Sequence, residues 1–345
     1  MKICSLLPSG TEILFALGLG DQITGVSDLC DYPLEARSKP VVSRSKIDVS
    51  VLSSNEVEEE INRILAAGDS PYELDQEWLS NNPPDVVLTQ DLCYFCEVDA
   101  TTVGQAVRDL PHQPRVVVLQ PKTLPGIFET ISEVGEVCKA GNAAAALVDG
   151  LKKRVRDVEE TLDSAGYRPR VFSLEGINPI VIGGHWIPDL LERAGGAWGP
   201  YRPGSPACRL DWKEIRNYAP EKLYIDLCSS DLARGLREVP WLAAQDGWPD
   251  MPAVQSGEVY LIDHVYFSCP GPRVVDGLEI LAQLTHPHLF SGMIPTNTVM
   301  KLDPFEAKDC LPGEIARCFH PFTSLPASLG SRSRRLPMRA FPSEE

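Results

Sequence analysis

Short apolar runs alternate with amphipathic stretches along the chain, and the whole alternation occurs twice. Apolar runs bounded by Gly, Pro, Asn or Asp read as buried strands, whereas apolar positions three and four apart read as helices with one wet face. In the first half, strands are predicted over 3–7, 23–27, 85–90 and 116–119, with helices near 11–17, 55–67, 74–80 and 101–109. Asn81-Asn82-Pro83-Pro84 marks the approach to the strand Asp85-Val86-Val87-Leu88, since proline fixes φ and lacks an N–H donor. Strands alternating with helices in this way build a parallel sheet.

The period then lengthens. Leu124, Ile127, Ile131 and Val134 mark one helix; after Gly141-Asn142, residues Leu147, Leu151, Val155, Val158 and Leu162 mark a second, with Lys152, Lys153, Arg154 and Arg156 on its wet face. A helix over 142–165 would run roughly 35 Å at 1.5 Å per residue, about the span of a domain. It is expected to be a stiff spine between two lobes that close only slightly on binding. After Gly166 the first rhythm returns, with strands over 170–174, 180–182, 223–227 and 259–262, helices over 187–194, 212–218, 232–239 and 273–284, and Pro287 as the last stop. Beyond about residue 291 no rhythm is visible, and the Ser331-Arg332-Ser333-Arg334-Arg335 patch suits a poorly ordered extension. The expected divisions are an α/β lobe over 1–121, a helical linker over 122–167, a second α/β lobe over 168–290 and an extension over 291–345.

Composition narrows the classes. A chain of 345 residues with 43% hydrophobic content is long enough for two cores. Its net charge of −16 argues against an extended nucleic-acid surface, which needs clustered Lys and Arg. No run approaches the roughly 18 apolar residues of a membrane helix. The apolar Ile3-Cys4-Ser5-Leu6-Leu7 run is shorter than a signal-peptide core and reads as a first strand. The ten cysteines are therefore expected to be reduced thiols of a cytosolic protein, unless a targeting peptide preceded this numbering.

Candidate chemistry sits at strand exits, where open α/β sheets collect ligands. Gln90-Asp91-Leu92-Cys93-Tyr94-Phe95-Cys96 follows a strand of the first half, and Gly183-Gly184-His185-Trp186 follows one of the second. Cys93 and Cys96 have the spacing for two thiolate ligands or a redox pair, but a zinc ribbon needs a second such pair, and Cys208, Cys228, Cys310 and Cys318 are scattered. Inert thiols at a strand end are the other reading. Gly183-Gly184 would let backbone approach a ligand at His185, whose neutral imidazole suits a metal, including the cobalt of a corrinoid. The alternative for His185 is a cap on the helix starting near Ile187-Pro188.

Five segments carry a resemblance: Ser5-Leu6-Leu7-Pro8-Ser9-Gly10-Thr11-Glu12-Ile13, Cys30-Asp31-Tyr32-Pro33, Thr89-Gln90-Asp91-Leu92-Cys93, Gly184-His185-Trp186-Ile187-Pro188 and Phe267-Ser268-Cys269-Pro270-Gly271-Pro272-Arg273. Over roughly residues 1–290 the chain resembles the cobalamin-binding branch of the substrate-binding proteins of iron-siderophore and cobalamin transporters. The resemblance implies a class III periplasmic-binding-protein fold, two Rossmann-like α/β lobes with parallel sheets bridged by one long helix, and binding of cobalamin, another corrinoid or another metal chelate between them. It looks closer to the signal-less, intracellular-looking relatives that carry a Cys-x-x-Cys element after Thr-Gln and a Gly-His-Trp element in the second lobe, in which the position of Cys269 is usually Arg. A transporter or corrinoid-handling protein is the partner implied.

Further lining candidates follow from position. Ser9 and Thr11 stand before the first predicted helix, as ligand contacts or as ordinary caps. Tyr32 and Arg44 suit a first-lobe wall, with Gln90 beside them. Glu175 ends a second-lobe strand, Trp186 offers an apolar face, Phe267 and Ser268 add an aromatic face and a hydroxyl, and Arg273 a positive charge or an ion pair with a carboxylate. No Gly-x-Ser-x-Gly elbow, phosphate loop or Gly-rich dinucleotide turn is present, so an enzyme reading rests on Cys93, Cys96 and His185 holding zinc or iron or doing thiol redox chemistry. Glu58-Glu59-Glu60 is either a docking surface for a protein partner or a solvated helix face.

Overall fold

The computed structural model describes residues 1–48, 52–91, 100–108, 110, 112–228 and 230–323. In the first lobe the order is β1 (Ile3–Ser5), α1 (Pro8–Ala16), β2 (Ile23–Ser27), β3 (Val41–Ser45), α2 (Ser54–Ala66), β4 (Tyr72–Leu74), α3 (Gln76–Asn81), β5 (Val86–Gln90), α4 (Ala100–Val107) and β6 (Arg115–Leu119). They form a six-stranded sheet in the order β4-β3-β2-β1-β5-β6. β1 lies at its centre, parallel to both β2 and β5. Ile3 and the run Val86-Val87-Leu88 are buried because helices cover both faces of a parallel sheet. Two short strands at one end of the sheet escaped the hydrophobic pattern. β3 and β4 pair antiparallel, and β4 occupies the start of the predicted helix over 74–80, which begins only at Gln76, capped by the Asp75 side chain.

Two helices lead to the second lobe, α5 (Leu124–Val137) and α6 (Gly141–Leu162). The 22 residues of α6 span about 33 Å. Its buried positions Ala144, Val148, Leu151, Val155, Val158 and Leu162 form one stripe. Gly135 allows the tight return between α5 and α6, since a Cβ there would lie 2.3 Å from that of Ala144.

The second lobe runs β7 (Val171–Gly176), β8 (Val181–Ile182), α7 (Ile187–Arg193), β9 (Cys208–Arg209), α8 (Trp212–Tyr218), β10 (Lys222–Ile225), α9 (Leu232–Ala243), α10 (Pro252–Gln255), β11 (Val259–Ile262), α11 (Val274–Thr285), β12 (Val299–Leu302), α12 (Pro304–Ala307) and β13 (Phe319–Pro321). Its seven-stranded sheet has the order β13-β12-β11-β10-β7-β8-β9. The central strands β7, β10 and β11 are parallel, whereas β8, β9, β12 and β13 are antiparallel. α9 continues past its internal Pro240, where the sequence pattern had placed its end.

The expectation of a poorly ordered extension from residue 291 is corrected over 291–323. β12 pairs with β11, β13 pairs with β12, and Ile315, Cys318 and Phe319 are buried in the main core. Four-residue and three-residue strands with one or two inward side chains leave no visible period, and they form because the edge strand β11 offers unpaired backbone groups. The basic patch over 331–335 lies outside the described residues.

A candidate ligand-binding cleft

The two sheets place their parallel strand exits around one cavity of about 360 Å³. Leu7, Pro8 and Ser9 follow β1, Asp28, Leu29 and Asp31 follow β2, and Gln90 ends β5. From the other lobe come Glu175 on β7, Asp226 and Cys228 after β10, and His264, Val265, Phe267 and Ser268 after β11. Ile47, Val57 and Ile61 add an aliphatic patch. Both lobes therefore line it.

Eight of the sequence-derived candidates meet here: Ser9, Gln90, Glu175, His185, Trp186, Phe267, Ser268 and Arg273. Three do not line the cavity. Thr11 is buried in the first lobe, its hydroxyl 2.9 Å from Ser5 Oγ and 3.1 Å from Cys30 Sγ. Nor do Ser9 and Thr11 cap a helix, because α1 already starts at Pro8 and has no side-chain cap. Tyr32 stands outside as a platform for Arg273, whose guanidinium carbon lies 3.8 Å from the ring centroid. Arg44 lies on β3 itself, exposed and opposite Glu73 of β4. Cys93 and Cys96 lie outside the described residues.

The Gly183-Gly184 pair does a different job from the one expected. A Cβ on Gly184 would lie 2.0 Å from Ala207 N, and one on Gly183 would lie 2.6 Å from Ile187 Cγ2. The glycines thus admit neighbouring protein, not a ligand. His185 itself adopts φ +52°, a left-handed conformation that costs a non-glycine residue energy and is held by His185 N–H donating to Ser205 O at 2.6 Å and Gly204 N–H donating to His185 O at 2.9 Å. It makes no cap to α7, whose N-cap is Trp186. Burial, and then Lys122, push the imidazole below its usual pKa, so it is neutral at pH 7. Trp186 packs its indole inward and donates Nε1–H to Phe267 O at 2.8 Å, tying the two second-lobe loops together.

Charge at the cavity is mostly negative. Glu12 on α1 is buried and takes both the backbone N–H and Nε–H of Arg273, at 2.7 and 2.8 Å, joining the lobes across the cleft. Burial still pushes the Glu12 carboxyl above its ordinary range, against the pull of that guanidinium. Two more pairs bridge the lobes: Ser54 Oγ donates to Glu238 at 2.7 Å, and Glu58 pairs with Arg209. Glu60 pairs with Arg63 on the same helix at 2.5 Å, and Asn55 donates to Glu59, so the Glu58-Glu59-Glu60 run is spent on local and interlobe contacts.

Asp226 and His264 were missed by the sequence reading. Asp226 is 3% exposed; its Oδ1 accepts from Ser173 Oγ at 2.7 Å, while Oδ2 has no hydrogen-bond partner among the described residues. Burial pushes the acid up to about 8, against the help of Ser173. His264 Nδ1 is likewise buried without a partner, and burial lowers that imidazole's pKa. Both follow strand exits, so the rule that found Gln90 and Glu175 could have found them.

Two α/β lobes on a helical spine, with a cavity between the strand exits of both sheets, define a substrate-binding protein of the periplasmic type. The chain belongs to the periplasmic binding protein family, whose model matches residues 3–266. It is 24% identical over 298 residues, 84% of this chain and 81% of the relative, to the uncharacterized ABC transporter substrate-binding lipoprotein YvrC of Bacillus subtilis. It is 22% identical over 281 residues, 81% of this chain and 86% of the relative, to the vitamin B12-binding protein of Vibrio cholerae. Among solved structures, it resembles a possible iron-binding periplasmic solute-binding protein from Staphylococcus epidermidis, with a TM-score of 0.63, 22% identity and coverage of 82% of this chain and 97% of that one. The periplasmic vitamin B12-binding protein BtuF of Vibrio cholerae gives a TM-score of 0.57 at 20% identity, covering 83% and 96%. These two likenesses carry the fold. Among the described residues no helix is long and apolar enough to cross a membrane.

Proposed function

We propose that this chain binds a corrinoid, cobalamin or a close relative, in the interlobe cleft and presents it to a transporter or another corrinoid-handling protein. The observation that carries the reading is the charge of the cavity. Its described lining contains the acids Asp28, Asp31 and Glu175, and its cation, Arg273, is already engaged by Glu12 and Tyr32. A haem, with two carboxylates, would bring its charges to this wall with no free guanidinium or ammonium among those residues to receive them. The amide side chains of a corrinoid are uncharged and form hydrogen bonds with carboxyl, hydroxyl and imidazole groups alike.

His185 sharpens the choice. A half-buried, neutral imidazole can donate a lone pair to the metal of a macrocycle, whereas the iron of a ferric hydroxamate is already surrounded by its own oxygens. Trp186, Phe267 and the Ile47, Val57 and Ile61 patch supply apolar contact, and a few polar groups fix orientation. At about 360 Å³ the cavity takes part of such a ligand, so the rest of the macrocycle lies in the open cleft. Vitamin B12-binding relatives support the same choice. A cytosolic setting with reduced thiols remains part of the proposal, and cell fractionation followed by thiol alkylation checks it.

The direct test is elemental analysis of the purified, unsupplemented chain followed by calorimetric titration with cyanocobalamin. One cyanocobalamin per chain with no resident metal is the expected result. Stoichiometric zinc or iron that disappears in Cys93→Ala and His185→Ala, with no heat from cyanocobalamin, would replace this reading with a metal-dependent enzyme.

A further inference from the structure

The cavity holds a buried acid that the fold leaves half used. Asp226 stands at the exit of β10, the strand between β7 and β11 at the centre of the second-lobe sheet. Its Oδ1 is satisfied by the Ser173 hydroxyl from β7 at 2.7 Å, and its Oδ2 is buried with no hydrogen-bond partner among the described residues. A buried polar atom without a partner is costly, and a position on a binding cavity lets a ligand remove that cost. His264 Nδ1, after the neighbouring strand β11, is a second such atom on the same cavity.

We propose that Asp226 and Ser173 form a polar subsite on the second-lobe wall in which Asp226 donates a hydrogen bond to an uncharged oxygen of the ligand, an amide carbonyl above all. The donor must carry a proton, and its surroundings favour one. The titratable and charged groups lining the same cavity are Glu175 on β7, His185 before α7, Cys228 on the exit of β10, His264 after β11, Cys269 and Arg273 at the start of α11, and Asp28, Asp31 and Tyr72 from the first lobe. Burial opposes a charge on Asp226 and pushes the acid up to about 8, with Cys228 adding to it, and the guanidinium that would favour a charge is held by Glu12. Oδ1 accepts from Ser173, so the proton belongs on Oδ2, where a ligand oxygen can take it. A ligand carboxylate is disfavoured by the acids around it, and an amide carbonyl is not. The choice of an amide-bearing ligand rests on the corrinoid reading above; the donor itself rests on the geometry of Asp226.

The test is calorimetric titration of cyanocobalamin into the full chain and its Asp226→Asn and Asp226→Ala variants, across the pH range on either side of the value of about 8. The wild type is expected to bind more weakly as pH rises through that value. Asp226→Asn, which keeps an N–H donor of the same shape, is expected to bind within about threefold of the wild type at low pH and to lose the pH dependence; Asp226→Ala is expected to lose about tenfold. Equal affinity in all three chains with a flat pH profile would overturn the subsite while leaving the corrinoid reading intact. If the wild type takes up no cyanocobalamin, the corrinoid reading fails, and the same three chains are titrated with an uncharged ferric hydroxamate and with haemin. The same pattern with one of those keeps the donor and reassigns the ligand, and its absence with all three overturns the donor as well.

Discussion

The two walls of the cleft differ in kind. The first-lobe wall presents Leu7, Pro8, Ile47, Val57, Ile61 and Leu119, an aliphatic shelf with Ser9, Gln90, Asp28 and Asp31 at intervals. The second-lobe wall concentrates Glu175, His185, Asp226, Cys228 and His264 around the buried Trp186 and Phe267. Apolar surface gives affinity without direction, and polar atoms in a low-dielectric wall give direction because each must find its partner. On the proposed reading one wall holds the ligand and the other orients it, so that the same fold, built twice, divides the work between its copies.

The sharpest way to break this comparison is to replace the buried acid of the orienting wall. Asp226 has its acid near 8 in the folded chain and near 3.9 when unfolded, so between those values the folded chain carries a proton that the unfolded chain has lost. Stability is then present in full below the lower value, falls as pH rises through the window by at most about 1.4 kcal/mol per pH unit, and levels off above the higher one. Asp226→Asn should lack this fall. Denaturant unfolding of both chains across pH, compared as a difference, measures it.

Next in size is the joint between the walls. Arg273→Ala leaves Glu12 buried without its guanidinium and should cost on the order of 3–5 kcal/mol at neutral pH. Glu12→Gln combined with Arg273→Ala should recover much of that loss, which urea denaturation of the single and double variants would show. If both variants lose the same amount, the pair does not act as a unit.

Trp186→Phe probes the order within the second wall. The ring volume is largely kept but the Nε1–H to Phe267 O bond is lost, so about 1–3 kcal/mol of stability should go, together with some of the cleft's ligand affinity. Ile47→Val on the opposite shelf should cost only about 0.5–1.5 kcal/mol, with ligand orientation, read by circular dichroism of the bound chromophore, unchanged. A larger orientational change from Ile47→Val than from Trp186→Phe would erase the distinction between the walls.

Much of this was legible before any coordinates. The doubled α/β rhythm, the long linker helix and the rule that ligands gather at strand exits placed Gln90, Glu175, His185 and Trp186 on one cavity. The misses share a physical cause. β3, β4, β12 and β13 are short strands whose pairing is set by neighbours and not by their own period. Tyr32 and Arg44 have the right chemistry, but a strand places Arg44 on the outside and a guanidinium occupies Tyr32. Glu12 looked like part of a helix start, and its partner is 261 residues away in sequence, a distance no local pattern spans. Gly184 was assigned to a ligand, yet what presses on it is the Pro206-Ala207 backbone, a contact visible only after folding.

The central claim is that the cleft accepts an uncharged, amide-bearing macrocycle and refuses a dicarboxylate one. It is tested most directly by competition on a single sample: the purified chain is titrated with cyanocobalamin in the presence of haemin, and again with the order reversed, at neutral pH. Cyanocobalamin binding at one per chain, undisturbed by an equal concentration of haemin, is the expected result. Haemin that binds first and cannot be displaced would contradict the account, because it would mean that the acids of the cleft do not set the ligand's charge.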